Sequence, residues 1–202
     1  MKVDEWLAFF RRHRTKKLFS LADLVQLTGI DKASLSVQLT RLTRADVIQR
    51  AARQWYENPF NQPSREDVAM VLRPPAYLSL EYALSKHGIL SQAARTLTLA
   101  TTRRPYTYRT ADATYEYHQL HRSLFWGYGQ ENMVALAEPE KALLDLVYIR
   151  HVMTDELSQR ALASLVDDMD LAAVTRDRLR RYAARFPPRV GETVRHLTPV
   201  AP

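Results

Sequence analysis

The spacing of hydrophobic residues between positions 18 and 58 predicts two short helices followed by a pair of strands. Ser20 precedes an apolar stripe that repeats with helical spacing as far as Leu27, and its hydroxyl is suited to cap that helix. Gly29 then predicts a tight turn, and Asp31 is placed to cap a second helix. The inward residues of this second helix are Leu35, Leu39 and Leu42. The pattern is that of a helix-turn-helix.

The outward face of the second predicted helix carries small, hydroxyl and cationic residues. Small residues let a helix enter the DNA major groove, and arginines reach guanine or phosphate oxygens. Ser34 and Ser36 are candidates to donate hydrogen bonds to phosphates or base edges. We therefore predict that this face binds double-stranded DNA through Lys32, Ala33, Ser34, Ser36, Val37, Thr40, Arg41 and Arg44. The alternative is a helical hairpin used only for packing or protein contacts.

After this helix the pattern predicts a strand, a loop and a second strand. The predicted strand Val47–Arg50 leads through the loop Ala51–Gln54 into the strand Trp55–Asn58. Arg50 and Arg53 would lie near the tip, where the wing of a winged helix-turn-helix meets the adjacent phosphates. These two arginines complete the predicted DNA-binding set.

The charge of the chain is concentrated in the same region. Through Phe60 there are 11 Lys and Arg against 6 Asp and Glu, which is +5 of the net +7 of the chain. A basic patch confined to one module is expected of a domain that neutralises phosphates. The proline-containing stretch Asn58–Pro63 predicts a joint between a DNA-binding domain, residues 1–60, and a second domain, residues 61–202.

The second domain is predicted to be α+β, with a small antiparallel sheet, helices packed on it and a helical C terminus. Alternating apolar residues predict strands over Thr96–Thr102, Tyr106–Thr110, Thr114–Leu120 and Met133–Ala137, with a hairpin turn at Ala111–Ala113. Helices are predicted after Ser64, after a capping Ser79, from Glu138 with Pro139 in its first turn, twice between Thr154 and Ala184, and over Val190–Leu197.

The composition of the chain limits the classes of protein to which it can belong. A chain of 202 residues with 46% hydrophobic and 25% charged residues forms one or two folded cores. The absence of cysteine excludes disulfides, thiolate metal sites and cysteine nucleophiles, and fits a reducing compartment. No apolar run approaches the roughly 20 residues of a membrane span, and the acidic start is unlike a signal peptide. We expect a cytoplasmic protein with no membrane partner.

Two further blocks, in the second domain, carry a family resemblance. The first is Tyr77-Leu-Ser-Leu-Glu-Tyr-Ala-Leu84, and the second is Glu140-Lys-Ala-Leu-Leu-Asp145. Together with the strand Leu97–Arg103, they resemble the AbiEi-type antitoxins of the AbiE phage-abortive-infection systems, in which a winged helix-turn-helix precedes such a domain. The chain departs from the family at Gln54, where a glycine is usual in the wing.

This resemblance implies a bifunctional protein. The N-terminal domain would bind inverted repeats in operator DNA and repress its own operon. The second domain would counter a cognate nucleotidyltransferase-like toxin, directly or functionally, as a type IV antitoxin. Arg103, Arg104 and Arg109 could then form one cationic patch for an acidic toxin surface or for RNA.

Several other residue sets could bind a metal or a nucleic acid, but structural roles explain them better. His118, His121 and His151 with Glu116 are potential metal ligands, but His118 and His121 straddle a strand end and would not share a face. The arginines of the penultimate helix are expected to form a solvated face; they are Arg176, Arg178, Arg180, Arg181 and Arg185. The alternating tyrosines 106, 108, 115 and 117 are expected to cover a sheet face, although they could form a stacking platform for single strands.

Structural roles also explain the candidate catalytic residues better than catalysis does. A Ser79 nucleophile beside His87 would need a third group and an oxyanion hole, whereas a capping serine needs neither. Glu140, Lys141 and Asp145 are expected to form a polar helix face. The sequence thus predicts no enzyme, no metal and no cofactor. The competing functions are a ligand-responsive winged-helix regulator without antitoxin activity and, with less support, an enzyme acting on nucleic acid.

Overall fold

The computed structural model describes residues 1–92, 95–110 and 113–197. The chain forms two compact units, Met1–Leu72 and Arg73–Pro202. The first unit therefore extends beyond the expected joint and includes the helix that follows it. Among the described residues, no helix combines the length and the apolar character needed to cross a membrane.

The first unit consists of short helices and a two-stranded sheet. Its elements are α1 (Val3–Arg12), β1 (Leu18–Ser20), α2 (Leu21–Thr28), α3 (Lys32–Arg44), β2 (Trp55–Glu57) and α4 (Arg65–Leu72). β1 and β2 pair in antiparallel fashion, with Phe19 opposite Tyr56. This sheet brings the two ends of the α2–α3 segment together.

The two helices predicted around Gly29 are confirmed, together with their caps. The Ser20 hydroxyl accepts a hydrogen bond from the Asp23 amide at 3.0 Å, and Gly29 ends α2 in the left-handed conformation with φ +69°. The Asp31 carboxylate accepts from the amides of Ala33 and Ser34, both at 3.0 Å. Each helix therefore begins at a side chain that satisfies its first amides.

Helix α1 was not predicted, although it supplies much of the core of this unit. Trp6, Phe9 and Phe10 are buried and pack with Phe19 and with the inward leucines of α3. The indole Nε1 of Trp6 also donates to the side-chain oxygen of Gln38 on α3 at 3.1 Å. α1 therefore holds the inner side of α3 and leaves its outer side free.

The predicted strand Val47–Arg50 is wrong, because these residues form a bend and extended chain. The preceding residue, Asp46, has φ +54° and turns the backbone away from α3. β2 takes β1 as its partner instead, although the Glu57 amide still donates to the Gln49 carbonyl at 2.9 Å, as the expected pairing would have it.

The second unit is built on a sheet in the order β5-β6-β4-β3-β8-β7. Its strands are β3 (Ala76–Leu78), β4 (Thr96–Thr101), β5 (Tyr106–Arg109), β6 (Thr114–Gln119), β7 (Tyr128–Glu131) and β8 (Val134–Ala137). The expected antiparallel sheet is wrong, because the sheet is mixed: β4 pairs with β6, and β3 with β8, in parallel. The predicted turn at Ala111–Ala113 lies outside the described residues except for its last position.

Burial explains this strand order. β4 is buried along almost its whole length and needs a neighbour on each side, whereas β5 is mostly exposed. β6 buries Tyr115 and Tyr117 and therefore takes the interior position beside β4. β5 is left at the edge, where exposed polar residues are tolerated.

Helices pack on this sheet and on one another. They are α5 (Leu80–Lys86), α6 (Pro139–Leu146), α7 (Gln159–Asp167), α8 (Arg176–Ala183) and α9 (Pro188–Leu197). α5 contacts β4 and α6, and α6 also contacts α8. A π-helical segment, Val147–Met153, continues α6. Because α6 is covered on both sides, even its polar residues are buried. The α+β class is confirmed.

Candidate nucleic-acid interface

The outward face of α3 is open to solvent along its length. Val37, at the centre of this face, is 52% exposed, whereas Leu35 and Leu39 on the opposite side are fully buried. The exposed members of the predicted set are Lys32, Ala33, Ser34, Val37, Thr40, Arg41 and Arg44, and Ser36 is half-buried at the margin. α3 thus presents one continuous surface to a partner.

The cations on this face are available to a ligand. Arg41 and Arg44 are exposed, and within the described residues neither forms a salt bridge. Arg50 differs, because its Nε donates to the nearby Ala52 carbonyl at 3.1 Å. Arg53 is exposed at a two-residue turn that the Trp55 amide closes by donating to the Ala52 carbonyl at 3.0 Å.

The hydroxyl groups of α3 are oriented differently from the prediction. Ser36 donates to the Lys32 carbonyl at 2.7 Å, and Thr40 donates to the Ser36 carbonyl at 2.8 Å. Ser34 hydrogen-bonds to Asp31, and this contact is the main reason that the pKa of Asp31 lies below its usual value. The hydroxyl protons of Ser36 and Thr40 are used inside the helix, so their oxygens face a partner as acceptors.

Asn58 fixes the segment between α1 and β1, next to the candidate interface, a role that the sequence analysis missed. Its amide nitrogen donates to the carbonyls of Phe10 at 3.3 Å, His13 at 3.0 Å and Lys16 at 2.8 Å, and the side chain is fully buried. These bonds fix the chain that leads from α1 into β1 and thereby the start of α2. A single polar residue after an apolar strand gives no sequence signal for such a role.

The arginines predicted as one patch in the second unit are separated. Arg103 and Arg104 lie in the loop after β4, and the Arg104 carbonyl accepts from Arg73 Nε at 3.0 Å. Arg109 lies at the other end of β5, about 10 Å along the strand from Tyr106. Arg103 instead shares a cavity with Arg122.

Two of the arginines of α8 and its C-terminal flank are not simply solvated, as expected. Arg178 lies 3.8 Å from Glu138 and 3.7 Å from Glu140, and the Arg185 guanidinium lies 3.7 Å from the centre of the Trp126 ring. The contacts of Arg178 arise because α8 packs on α6.

The expected polar face of Glu140, Lys141 and Asp145 is wrong, since all three are buried. Lys141 Nζ donates to a carboxylate oxygen of Asp145 and, at 2.7 Å, to the Tyr77 hydroxyl. The other carboxylate oxygen of Asp145 accepts from the hydroxyls of Tyr77 and Ser79, both at 2.8 Å. Charged residues tolerate this position because β3 supplies their hydrogen-bond partners.

Aromatic rings enclose this buried cluster. Lys141 Nζ lies 5.2, 5.3 and 5.1 Å from the ring centres of Tyr77, Trp126 and Phe186. Burial lowers the pKa of Lys141 and raises that of Asp145, while their mutual attraction opposes both changes. The Lys141 ammonium and the Asp145 carboxylate are fully buried, so a substrate cannot reach them. The hydrogen bond from Tyr77 to Asp145 joins β3 to α6.

The remaining candidates do not assemble into reactive groups. Ser79 is occupied by Asp145 and makes no side-chain cap, contrary to its predicted role, and His87 contacts the Ala137 carbonyl at 2.7 Å. His118 lies 3.7 Å from Glu116, and His121 contacts Ser123. Among the described residues no group of three or more His, Asp or Glu could hold a metal ion.

The outward surface of α3 is thus open to a partner, and within the described residues Arg41 and Arg44 form no salt bridge that would compete with an anionic partner. No protein-family model matches the chain, and no curated protein sequence matches it either.

Proposed function

We propose that the chain is a DNA-binding autorepressor and antitoxin of a toxin-antitoxin system. In this proposal α3 binds inverted repeats in operator DNA, and the second unit counters a nucleotidyltransferase-like toxin. The observation that carries the DNA-binding part is the exposed face of α3, where Arg41 and Arg44 stand opposite a fully buried leucine stripe.

The dimensions and chemistry of α3 suit the major groove. An α-helix with side chains is about 10–12 Å wide, and the groove of B-DNA is about 12 Å wide. Ala33 permits close approach, and Val37 offers an apolar contact for a thymine methyl group. Arg41 and Arg44 reach guanine edges or phosphates, while the oxygens of Ser36 and Thr40 accept from base amino groups.

The β1–β2 sheet and the turn at Arg53 would serve as the wing. Gln54 has φ +66°, a conformation that glycine adopts without strain, so it occupies the place of the glycine that the resemblance leads one to expect. Arg53 at this turn would contact the backbone next to the groove that α3 occupies.

The antitoxin part rests on the two sequence blocks of the second unit. Contact between these blocks supports the proposal, because Tyr77 and Ser79 of the first block both donate to Asp145 of the second. The blocks therefore act as one structural element, which fits their joint occurrence in a family domain.

DNA binding is tested by fluorescence anisotropy of the full chain on its own upstream DNA. Arg41→Ala with Arg44→Ala should weaken binding about a hundredfold or more, since each charge-assisted contact is worth more than 1.4 kcal/mol, about tenfold. The matched control, Arg104→Ala with Arg109→Ala, removes the same charge from the second unit and should bind as the wild type does. Retained operator binding by the α3 variant would reject the assignment of this helix.

The antitoxin role is tested by co-expression with the product of a neighbouring nucleotidyltransferase-like gene. The full chain should restore growth, and the α3 double variant should do so as well when both genes are driven by foreign promoters. Failure of both to restore growth would refute the antitoxin role and favour a regulator without it.

A further inference from the structure

A cavity of about 600 Å³ opens at the end of the sheet where β4 and β6 terminate and β3 begins. Its walls are formed by Pro75, Thr102, Arg103, Arg122 and Phe125. Cavities that bind small molecules have volumes of about 300–1,000 Å³. The space is therefore far larger than a single anion needs and suits a ligand that combines a charged group with a ring.

Buried Thr101 holds the walls of this cavity in place. Its hydroxyl donates to the Pro75 carbonyl at 2.7 Å and accepts from the Arg103 amide at 3.2 Å. Its carbonyl accepts from the Leu120 amide at 2.7 Å, two residues before Arg122. One residue thus connects three segments, so the cavity is formed before any ligand enters and binding needs little reorganisation.

The charges at the cavity favour a phosphate group. Arg103 and Arg122 reach it from the ends of two different strands, and in the described part of the chain neither has a carboxylate partner. Guanidinium groups bind phosphate oxygens in pairs of parallel hydrogen bonds. Thr102 also lines the cavity, so three residues with polar side chains contribute to its wall.

The rest of the cavity favours a flat ring. The Phe125 ring is held by Tyr77 and Tyr128, whose ring centres lie 5.0 and 5.4 Å from its own. Aromatic side chains stack with nucleic-acid bases, and Pro75 adds apolar surface nearby. A bare phosphate ion would leave this part of the cavity empty.

We propose that this cavity binds a nucleoside monophosphate, with the phosphate between Arg103 and Arg122 and the base against Phe125. The nucleotide is either free or the 5′ end of a strand. The proposal does not depend on DNA binding by α3, because every residue involved belongs to the second unit.

Calorimetric titration of the full chain tests the ligand class with AMP, adenosine and inorganic phosphate. AMP should bind with one site per chain and more tightly than either adenosine or phosphate. Absence of AMP binding, or equal binding of phosphate and AMP, would overturn the proposal. A 5′-phosphorylated trinucleotide separates the two sources: tighter binding than AMP supports a strand end, and weaker binding supports a free nucleotide.

Substitutions then locate the site. Arg103→Ala and Arg122→Ala should each lower AMP affinity about tenfold or more, because each removes a charge-assisted contact. Arg104→Ala is the matched control, since it is exposed and adjacent to Arg103 but does not line the cavity. Unchanged affinity in both Arg103→Ala and Arg122→Ala, with the far-ultraviolet circular dichroism of wild type, would refute the site.

Discussion

Lys141 and Asp145 form an ion pair without access to water, and this pair decides how β3 and α6 stay together. Each charge is fully buried; Lys141 also donates to the Tyr77 hydroxyl, and Asp145 accepts from the hydroxyls of Tyr77 and Ser79. Buried pairs of this kind contribute little as a pair, but removal of one partner leaves an uncompensated charge. Stability should therefore respond very differently to single and double substitutions.

Lys141→Met should lower the free energy of unfolding by about 3–5 kcal/mol, because Asp145 loses its counter-charge. Lys141→Met with Asp145→Asn should recover part of that loss, since the Asn oxygen still accepts from Tyr77 and Ser79. Urea denaturation followed by circular dichroism measures both. The control, Lys32→Met on the exposed face of α3, should change stability by less than about 0.5 kcal/mol. Equal losses in the single and double variants would contradict this account.

Asp67 ties α4 to the start of β1 and makes the first unit sensitive to acid. Burial by itself raises the pKa of Asp67, but hydrogen bonds from Lys17 at 2.8 Å and from Ser64 more than offset this, so the pKa lies below its usual value. A carboxylate with a lowered folded-state pKa stabilises the fold above its unfolded-state pKa. That contribution disappears as the pH falls through the lower, folded-state value.

Asp67→Asn should therefore flatten the loss of stability as the pH falls below about 4, the unfolded-state pKa of an aspartate. Urea denaturation of the full chain at a series of pH values measures this slope. Asp4→Asn on α1 removes the same charge from an exposed position and serves as the control. If the stability of Asp67→Asn falls with decreasing pH as steeply as that of the wild type, the Asp67 carboxylate is not the source of the acid sensitivity.

At the scale of the element, α3 separates its buried, structural side from the face that we propose binds DNA. Its buried leucines hold it against α1, and Gln38 fixes the angle between them through Trp6. The outward residues therefore change without disturbing the core. This separation makes the binding face open to direct substitution.

Val37→Glu should abolish or strongly weaken operator binding while leaving the fold intact. Val37 is 52% exposed at the centre of the face, so a carboxylate there meets the DNA phosphates without replacing a core contact. Met153→Glu is the matched control, because Met153 is 60% exposed and belongs to the second unit. Electrophoretic mobility shift compares the two, and equal binding by both variants would contradict the assigned face.

Helices such as α2 and α3 could be predicted from the sequence because the residues that specify each helix lie within it or next to it. Capping residues and a 3.6-residue repeat define α2 and α3, and Pro139 marks the start of α6. The strand Val47–Arg50 was mispredicted because β2 pairs with β1, which precedes α2, and no local pattern reveals that partner. Gln54 likewise adopts φ +66° without a glycine to signal it.

At the scale of the whole molecule, the sequence predicted the α+β class but not which strands pair with one another. Alternation identifies β4, β5 and β6 as strands, yet their order depends on which strand buries more apolar surface. The buried Lys141 was predicted to be exposed, because helical spacing does not show that both sides of α6 are covered. The strand order and the burial of Lys141 thus depend on long-range contacts, which local periodicity does not show.

The distribution of charge over the whole chain supports the proposal that the first unit binds DNA. Residues up to Phe60 carry +5 of the net +7, and this excess is the electrostatic requirement of a phosphate-binding module. In the second unit, by contrast, Arg178 contacts carboxylates, Arg185 contacts a ring, and Arg103 and Arg122 line a cavity. The central claim is therefore that α3 is the part of the molecule that binds duplex DNA.

The salt dependence of operator binding tests that claim most directly. The logarithm of the association constant falls with the logarithm of salt concentration by about 0.9 for each phosphate contact. If Arg41 and Arg44 both contact phosphates, Arg41→Ala with Arg44→Ala should lower this slope by about 1.8 relative to wild type. If they read bases instead, binding weakens with a smaller change in slope. Wild-type affinity and wild-type slope in the double variant would contradict the account.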